Sequence, residues 1–275
     1  MPSNARVSTL LASPYLAWAL IFILVPLGMV VYYGLTDDTG AFTLANVAAI
    51  AQPEHAKALG LALLLAVIST VICLVLAYPL GMILARLGRS SQGLVSTLFI
   101  LPMWINFLLC TLAWMTLLEN KGVINGVLQA LGLPGIDVIN TPVAIVIGMV
   151  YNFLPFMILP VYNALSRIDE NVVNAAHDLG AGPLQTFLRV TLPLSVPGIV
   201  SGVTMVFVPA LTTFAISTML GGSKILLIGN VIEQEFTLSY NWNLGSGLSI
   251  VLMVFIVINM IVTAITDRDE EGAHA

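Results

Sequence analysis

Six long stretches of the chain contain no Asp, Glu, Lys or Arg, and this pattern constrains the fold more than any other feature. The stretches cover residues 14–34, 58–85, 94–118, 141–166, 195–220 and 244–266, with edges that are uncertain by a few residues. A membrane-spanning α-helix needs about 20 apolar residues, so each stretch is long enough to cross a bilayer. Only 8% of the 275 residues are charged, which is too few to cover a water-exposed surface. The sequence therefore predicts an all-α membrane protein, with six transmembrane helices in a single domain.

Catalytic and metal-binding motifs are absent from the sequence. His55, His177 and His274 are scattered along the chain, and Cys73 and Cys110 lie in apolar stretches without metal-ligand spacing. Neither a catalytic triad nor a phosphate-binding loop is present, and no basic run favours nucleic acid. We expect a chain that performs no chemistry on its own and binds no cofactor.

The distribution of charged residues in the loops predicts the orientation. With a cytoplasmic N-terminus, the inner segments hold Arg6, Arg86, Arg89, Arg167, Arg189 and Arg268, and the outer ones Lys57, Lys121 and Lys224. Since basic residues concentrate on the cytoplasmic side, both termini are predicted to be cytoplasmic. The outer loops carry the acids Asp37, Asp38, Glu54, Glu119, Asp137, Glu233 and Glu235. Two interpretations are open: these acids attract a cation to the outer mouth, or they are simply solvated.

The loop between the fourth and fifth stretches, residues 167–193, is long and patterned. Asp169 or Asn171 can cap a short helix that ends near Gly180, because glycine readily adopts the left-handed conformation. Pro183 suits the first turn of a second short helix, which we expect to end at Pro193. The 167–193 loop is therefore predicted to form two short helices joined by a tight turn.

Each short helix of the 167–193 loop has an apolar face. The residues at helical spacing are Val172, Ala175, Ala176 and Leu179 in the first helix, and Leu184, Phe187, Leu188 and Thr191 in the second. Such helices either lie on lipid or dock into a groove of a partner protein. A lipid-bound helix favours a basic polar face, whereas three acids outnumber two arginines in this loop. A protein partner is the better interpretation.

The spacing of residues in this loop resembles the coupling loop of ABC importer permeases. That pattern is Glu-Ala-Ala, three residues, Gly, nine residues, Ile or Val, one residue and Leu-Pro. The positions in register are Ala175, Ala176, Gly180, Val190, Leu192 and Pro193. Asn174 stands where the family usually has Glu, and its uncharged side chain cannot supply the charge for an ion pair. The resemblance assigns ATPase coupling to Asn174, Ala175, Ala176, Asp178, Leu179, Gly180, Phe187, Arg189 and Pro193.

Three further segments, 154–162, 179–189 and 220–232, are similar to the spermidine/putrescine permease family, and the resemblance extends over essentially the whole chain. It implies a MetI-like type I importer fold with cytoplasmic coupling helices. It also implies a heterodimer with a second permease subunit, two ATPase subunits that bind ATP and Mg, and an extracytoplasmic polyamine-binding protein. The implied function is import of polyamines across the cytoplasmic (inner) membrane, with this chain as a subunit without enzymatic activity.

A polyamine carries positive charges separated by methylenes, so its path calls for aromatic faces and polar acceptors. The candidates within the spans are Tyr78, Trp104, Asn106, Tyr151, Asn152 and Asn259, with Glu119, Glu233 and Glu235 at the outer mouth. The alternative for Trp104 is a packing or interfacial role, and for the Tyr and Asn residues a hydrogen bond between helices. Asp37 and Asp38 are candidates for contact with the binding protein instead.

Other functions are less compatible with the sequence. A proton- or sodium-coupled secondary transporter commonly has ionisable residues inside its spans, and the six stretches have none. A membrane scaffold would have no use for the patterned loop. An ABC permease for iron, thiamine, sulfate or phosphonate is the alternative within the same class, and the acidic outer loops count against the anions.

Overall fold

The structure is a computed structural model that describes residues 14–15, 17–86, 97 and 103–273. These residues are almost entirely helical, as the predicted all-α class requires. The helices long and apolar enough to cross a membrane are Ala17–Gly34, Pro53–Ala85, Phe107–Ala130, Pro142–Ser166 and Trp242–Ile261. A sixth span exists if the bent pair Pro183–Leu194 and Val196–Thr212 counts as one. Short helices Ala45–Ala48, Glu170–Asp178, Ala215–Gly221 and Ile228–Thr237 lie between these spans.

Local signals in the sequence explain where several helices begin and widen. Pro142 opens the helix Pro142–Ser166, and the side chain of Thr141 accepts a hydrogen bond from the amide of Ala144 (3.4 Å). This arrangement satisfies an amide that has no partner within the first helical turn. The first span widens into a π-helical turn at Leu20–Leu24, which ends two residues before Pro26. Proline lacks an N–H, so the regular hydrogen-bond ladder is interrupted there.

The predicted third span, 94–118, is described as a helix only from Phe107 to Leu118. Most of residues 94–102 lie outside the described residues, as do Arg6, Arg89 and His274. Helix Phe107–Leu118 and the shorter helix Val123–Ala130 together make up the range Phe107–Ala130.

The predicted fifth span, 195–220, is not one helix. Helix Val196–Thr212 ends at an extended residue, Thr213, and helix Ala215–Gly221 begins after Phe214. The stretch was expected to form one span, whereas the structure interrupts its helix at Thr213 and Phe214, where hydrogen bonds with the side chain of a distant residue, Asn230, support the break.

The buried side chain of Asn230 makes hydrogen bonds through both of its polar atoms. Its Nδ2 donates to the carbonyl of Phe214 (3.0 Å) and to Oγ1 of Thr218 (2.7 Å). Its Oδ1 accepts from Oγ of Ser217 (2.6 Å) and from the amide of Leu227 (3.0 Å). The unwound backbone at Phe214 is thereby satisfied within the protein, which non-helical backbone at membrane depth requires.

The chain divides into two compact units, one of Met1–Ala56 with Val231–Phe255, the other of Lys57–Asn230 with Ile256–Ala275. In the second unit, helix Val196–Thr212 packs closely on helix Pro142–Ser166. A Cβ atom added at Gly198 would lie 2.6 Å from the carbonyl oxygen of Pro160. Small residues thus let two helix backbones approach, as is common between membrane helices.

The first unit is held together around Asn46 and an aromatic cluster. Asn46 donates from Nδ2 to the carbonyl of Thr36 (2.8 Å) and packs against Gly247. The ring of Trp242 contacts the rings of Tyr33 (6.4 Å between centroids) and Phe236 (5.5 Å).

Candidate functional site

The first short helix of the 167–193 loop extends over Glu170–Asp178. Asp169 is its N-cap, since its side chain accepts a hydrogen bond from the amide of Asn171 (2.9 Å). Of the two capping residues that the sequence allowed, the structure selects Asp169. A carboxylate at this end also interacts favourably with the helix dipole.

A glycine turn ends this helix. Gly180 has φ +83°, and its amide bonds to the carbonyl of His177 (2.9 Å). The amide of Ala181 bonds to the carbonyl of Ala176 (3.0 Å), which completes a Schellman motif. The ring N–H at Nδ1 of His177 donates to the carbonyl of Ala181 (3.2 Å) and supports the same turn. The expected left-handed conformation of Gly180 is confirmed.

The second helix of the loop starts at Pro183, as expected, but continues past Pro193. Helix Pro183–Leu194 contains a wide turn at Phe187–Thr191, and the chain then bends by 63° into helix Val196–Thr212. The helix therefore ends at Leu194, one residue beyond the predicted end at Pro193. The wide turn lets the helix pass over a proline, which has no N–H for a regular helical bond.

Apolar side chains of the 167–193 loop point away from the rest of the chain. Leu179 is 89% exposed and Leu184 is 71% exposed, and Val172 and Leu188 are exposed as well. The polar candidates Asn174, Asp178 and Arg189 are exposed, as are Ala175, Gly180 and Pro193, while Ala176 is half-buried. Exposed apolar residues among polar neighbours are typical of an interaction surface.

Phe187 differs from its neighbours because it faces the core. Its ring contacts the ring of Tyr78 edge-on, with 5.6 Å between centroids. Tyr78, expected to line a substrate path, is buried and its hydroxyl lies 2.8 Å from Oγ of Ser195. The structure therefore brings one path candidate together with a coupling candidate.

Three other path candidates lie at helix ends in the third span region. Asn106 is the N-cap of helix Phe107–Leu118, and its Oδ1 accepts from the amide of Leu108 (2.9 Å). Trp104, just before this cap, is 84% exposed. Glu119 ends the helix, and its carbonyl accepts hydrogen bonds from the amide of Gly122 (2.7 Å) and Nδ2 of Asn125 (3.1 Å). Glu119 itself is exposed.

Tyr151 and Asn152 lie in the middle of helix Pro142–Ser166. Nδ2 of Asn152 donates to the carbonyl of Gly148 (2.8 Å) and to Oγ1 of Thr111 (3.4 Å). The ring of Tyr151 contacts Trp114 edge-on, with centroids 5.4 Å apart. Both rings line a cavity of about 300 Å³ with apolar walls. Asn152 thus makes the kind of helix-to-helix hydrogen bond that was the alternative to substrate contact.

The first unit holds the remaining acidic candidates. Glu233 and Glu235 are half-buried on helix Ile228–Thr237, and Oε1 of Glu233 accepts from Oγ1 of Thr237 (3.1 Å). Asp37 and Asp38 line a separate cavity of about 540 Å³ in the same unit. The other ring-bearing and polar residues lining it are Tyr32, Tyr33, Thr36, Ser239, Tyr240, Asn241, Trp242 and Asn243.

Hydrogen bonds favour the ionised form of Asp37. The hydroxyl of Thr39 and the amide of Ala41 both donate to Oδ1 of Asp37, and they lower the pKa of this carboxyl below its usual 3.8. Asp38, which lines the same cavity, accepts a hydrogen bond from Nδ2 of Asn243 (3.4 Å). Tyr240 has a left-handed backbone (φ +53°), which is uncommon for a residue with a side chain.

Sequence reasoning missed Ser195 and Trp114. Ser195 lies between Pro193 and Pro197, and paired prolines are a signal for a bend. No local signal connects Trp114 with Tyr151, because the two lie on different helices.

The long apolar helices and the exposed loop define a membrane protein with a surface suited to a partner. A family model described as "Binding-protein-dependent transport system inner membrane component" matches residues 77–270. The chain belongs to this family and is a multi-pass permease component of the inner membrane.

Curated relatives show which permeases the chain is similar to within this family. The chain is 38% identical over 250 residues to the spermidine/putrescine transport system permease protein PotB of Haemophilus influenzae, covering 88% of this chain and 87% of the relative. It is 37% identical over 253 residues to PotB of Escherichia coli K12, covering 89% and 92%. The inner membrane ABC transporter permease protein YdcU of Escherichia coli K12 is 32% identical over 237 residues, covering 80% and 74%.

Solved structures share the fold. A chain of a bacterial ABC transporter that imports the acidic polysaccharide alginate has a TM-score of 0.78 and 18% identity, with 96% of each chain covered. A chain of the inward-facing MetNI methionine ABC transporter has a TM-score of 0.57 and 20% identity, covering 78% of this chain and 94% of that one. At such identities the likeness concerns the fold alone.

Proposed function

We propose that this chain is the permease subunit of an ATP-driven importer that carries spermidine or putrescine into the cell. One observation carries the proposal: an exposed two-helix loop, with the spacing of an ABC coupling loop, lies in a chain similar to PotB over most of its length. In this proposal the chain hydrolyses no ATP. It supplies the membrane path and converts movement of its partners into transport.

The 167–193 loop docks onto a cytoplasmic ATPase subunit. Leu179 and Leu184 are suited to bury apolar surface there because little of either side chain is covered within the chain. Asn174 is exposed and can donate or accept a hydrogen bond, but it brings no charge to the contact. Docking therefore depends more on the leucines than on an ion pair.

The assembly in this proposal follows the ABC importer plan. A second permease subunit pairs with this chain, two ATPase subunits bind ATP and Mg, and an extracytoplasmic binding protein delivers the cargo. Both termini face the cytoplasm, as the arginines of the inner segments favour.

The aromatic and acidic cavity of the first unit supports a cationic cargo. Its walls combine four aromatic rings with Asp37 and Asp38, and none of the described residues that line it is Lys or Arg. Aromatic faces and carboxylates both attract ammonium groups. Since hydrogen bonds lower the pKa of Asp37, its charge is present throughout the physiological pH range.

Uptake tests the proposed cargo directly. Vesicles carrying this chain with the second permease, the ATPase and the binding protein are loaded with ATP, and entry of labelled spermidine and putrescine is measured. We expect uptake that requires both ATP and the binding protein. ATP hydrolysis without polyamine uptake would favour another cargo, and uptake that follows a proton gradient instead of ATP would refute the proposal.

The docking surface is tested by replacing Leu179 with Ser, with Leu131→Ser as the matched control. Leu179 is 89% exposed and Leu131 is 69% exposed, so neither change disturbs the core. Burying a leucine contributes about 1.5–3 kcal/mol, so Leu179→Ser should weaken ATPase binding at least tenfold. Leu131→Ser should leave it unchanged. Equal binding by both variants in a detergent pull-down would remove Leu179 from the contact.

A further inference from the structure

Ser195 occupies the corner at which the 167–193 loop joins the fifth span helix. It lies between helices Pro183–Leu194 and Val196–Thr212, which meet at 63°, and its side chain is fully buried. Its Oγ donates to the carbonyl of Leu192 (2.9 Å), one turn back. This bond uses the only hydrogen of the Ser195 hydroxyl.

The hydroxyl of Tyr78 completes the contact from a different helix. Tyr78 lies in Pro53–Ala85, and its hydroxyl is 2.8 Å from Oγ of Ser195. Since the hydrogen of Ser195 is directed at Leu192, the hydroxyl of Tyr78 is the donor. A chain of two hydrogen bonds therefore runs from the second span helix through the corner to the backbone of the loop helix.

The ring of Tyr78 contacts the loop at a second point. Its edge-on contact with Phe187 has 5.6 Å between centroids and 85° between ring planes. Phe187 begins the wide turn Phe187–Thr191, so the ring of Tyr78 contacts the loop helix about two turns before the corner. Tyr78 thus contacts the loop at both ends of the segment 187–195.

The surroundings of this contact are rigid. Tyr78 belongs to a buried cluster with Cys73, Ala77, Met157 and Val161, and Phe187 packs against that cluster. Close-packed interiors transmit displacement instead of absorbing it. A loop movement that left Tyr78 behind would leave the buried hydroxyl of Tyr78 without its acceptor, which is unfavourable in a low-dielectric interior.

We propose that Tyr78 and Ser195, with Phe187, form a transmission link that makes the second span helix move together with the 167–193 loop. Tyr78 and Ser195 are positioning residues: they touch neither ATP nor cargo, and they act through the loop. This inference rests on the proposed function, because it requires that an ATPase drives the loop.

The test compares cargo moved with ATP hydrolysed, in proteoliposomes containing the complete assembly and binding protein. The variants are Tyr78→Phe, Ser195→Ala and the double variant. Tyr78→Phe keeps the ring contact with Phe187 and removes only the hydroxyl. Tyr162→Phe is the matched control, because it removes a hydroxyl from a half-buried tyrosine packed against the same cluster. Ser195→Thr keeps a hydroxyl at the corner and serves as the rescue variant.

We expect the number of polyamines imported per ATP to fall about three- to tenfold in Tyr78→Phe, with the hydrolysis rate and the amount of assembled complex unchanged. Ser195→Ala also removes the bond to Leu192, so it should show at least this fall, and the double variant should fall no further than Ser195→Ala, because the bond between Tyr78 and Ser195 is already lost. Ser195→Thr and Tyr162→Phe should stay near the unmodified ratio.

Three results would overturn the link. An unchanged ratio in Tyr78→Phe would mean that the hydroxyl pair transmits nothing. Additive losses in the double variant would mean that the two residues act separately. Loss of assembled complex with an unchanged ratio in what remains would mean that the pair serves stability alone. If the unmodified assembly showed no ATP-dependent uptake, the proposed function would fail first, so the two failures are distinguishable.

Discussion

Replacing Gly180 with alanine tests whether the left-handed turn in the 167–193 loop is needed for coupling. Gly180 has φ +83°, and an added Cβ would meet nothing within 4 Å. The whole penalty of the substitution is therefore conformational. A residue with a Cβ is disfavoured in this region by about 1–2 kcal/mol, which corresponds to a roughly 5- to 30-fold change in an equilibrium constant.

Gly182→Ala is a matched control two residues away. Gly182 also has nothing within 4 Å of an added Cβ, but its backbone is at φ −71° and ψ 164°, where any residue is comfortable. As an N-cap position it should lose only a few tenths of a kcal/mol. The two variants therefore share the added atom and the open surroundings, and differ in the sign of φ.

The assay is ATP-driven polyamine uptake in vesicles, normalised to the amount of assembled complex, together with ATPase binding. Gly180→Ala should weaken ATPase binding about 5- to 30-fold, and Gly180→Asn less, because Asn tolerates the left-handed region. Gly182→Ala should stay within about twofold. Equal effects at positions 180 and 182, or full activity of Gly180→Val, would refute the assigned role of the turn.

Three further predictions follow from packing, hydrogen bonding and charge. Gly198→Ala should destabilise the protein by about 1–3 kcal/mol, because the carbonyl of Pro160 blocks the new methyl, whereas Gly60→Ala, in open space, should be neutral or better. Thermal unfolding in detergent distinguishes them. Asn230→Leu should destabilise the protein by about 1–3 kcal/mol and lower the same unfolding midpoint, since it removes the side-chain acceptor of the buried amide of Leu227. The pKa of Asp37 is lower in the folded protein than in the unfolded chain, so ionised Asp37 contributes stability to the fold. This contribution is fully present above the unfolded-state pKa and is lost only as the pH falls through the lower pKa of the folded protein. The Asp37-dependent part of uptake, measured against Asp37→Asn, should therefore stay constant from about pH 8 to 5.

Much of the fold follows from signals that act over a few residues. Uncharged stretches predicted the membrane-spanning helices because a bilayer excludes charge wherever the chain crosses it. The cap at Asp169 and the left-handed turn at Gly180 were predictable because they depend on local backbone geometry. The spacing of the 167–193 loop led to the importer family for the same reason, since the motif lies within one continuous segment.

Contacts between residues far apart in the chain could not be predicted from these local signals. Tyr78 was expected near a substrate path, yet its hydroxyl meets Ser195, 117 positions further along the chain. The break in the fifth span was missed because Asn230, on another helix, makes hydrogen bonds with Phe214, Ser217 and Thr218. The aromatic and acidic residues of the first-unit cavity come from two segments that are far apart in the chain, residues 32–40 and residues 239–243.

The sequence by itself determined the membrane class, the number of candidate spans and the two-helix loop, because hydrophobicity, capping and glycine geometry act on neighbouring residues. The tertiary structure alone decided which polar side chains are already paired inside the protein and which remain exposed to a partner. Buried hydroxyl and amide groups take whichever partner the packing brings within about 3 Å, and that choice depends on helices far apart in the chain.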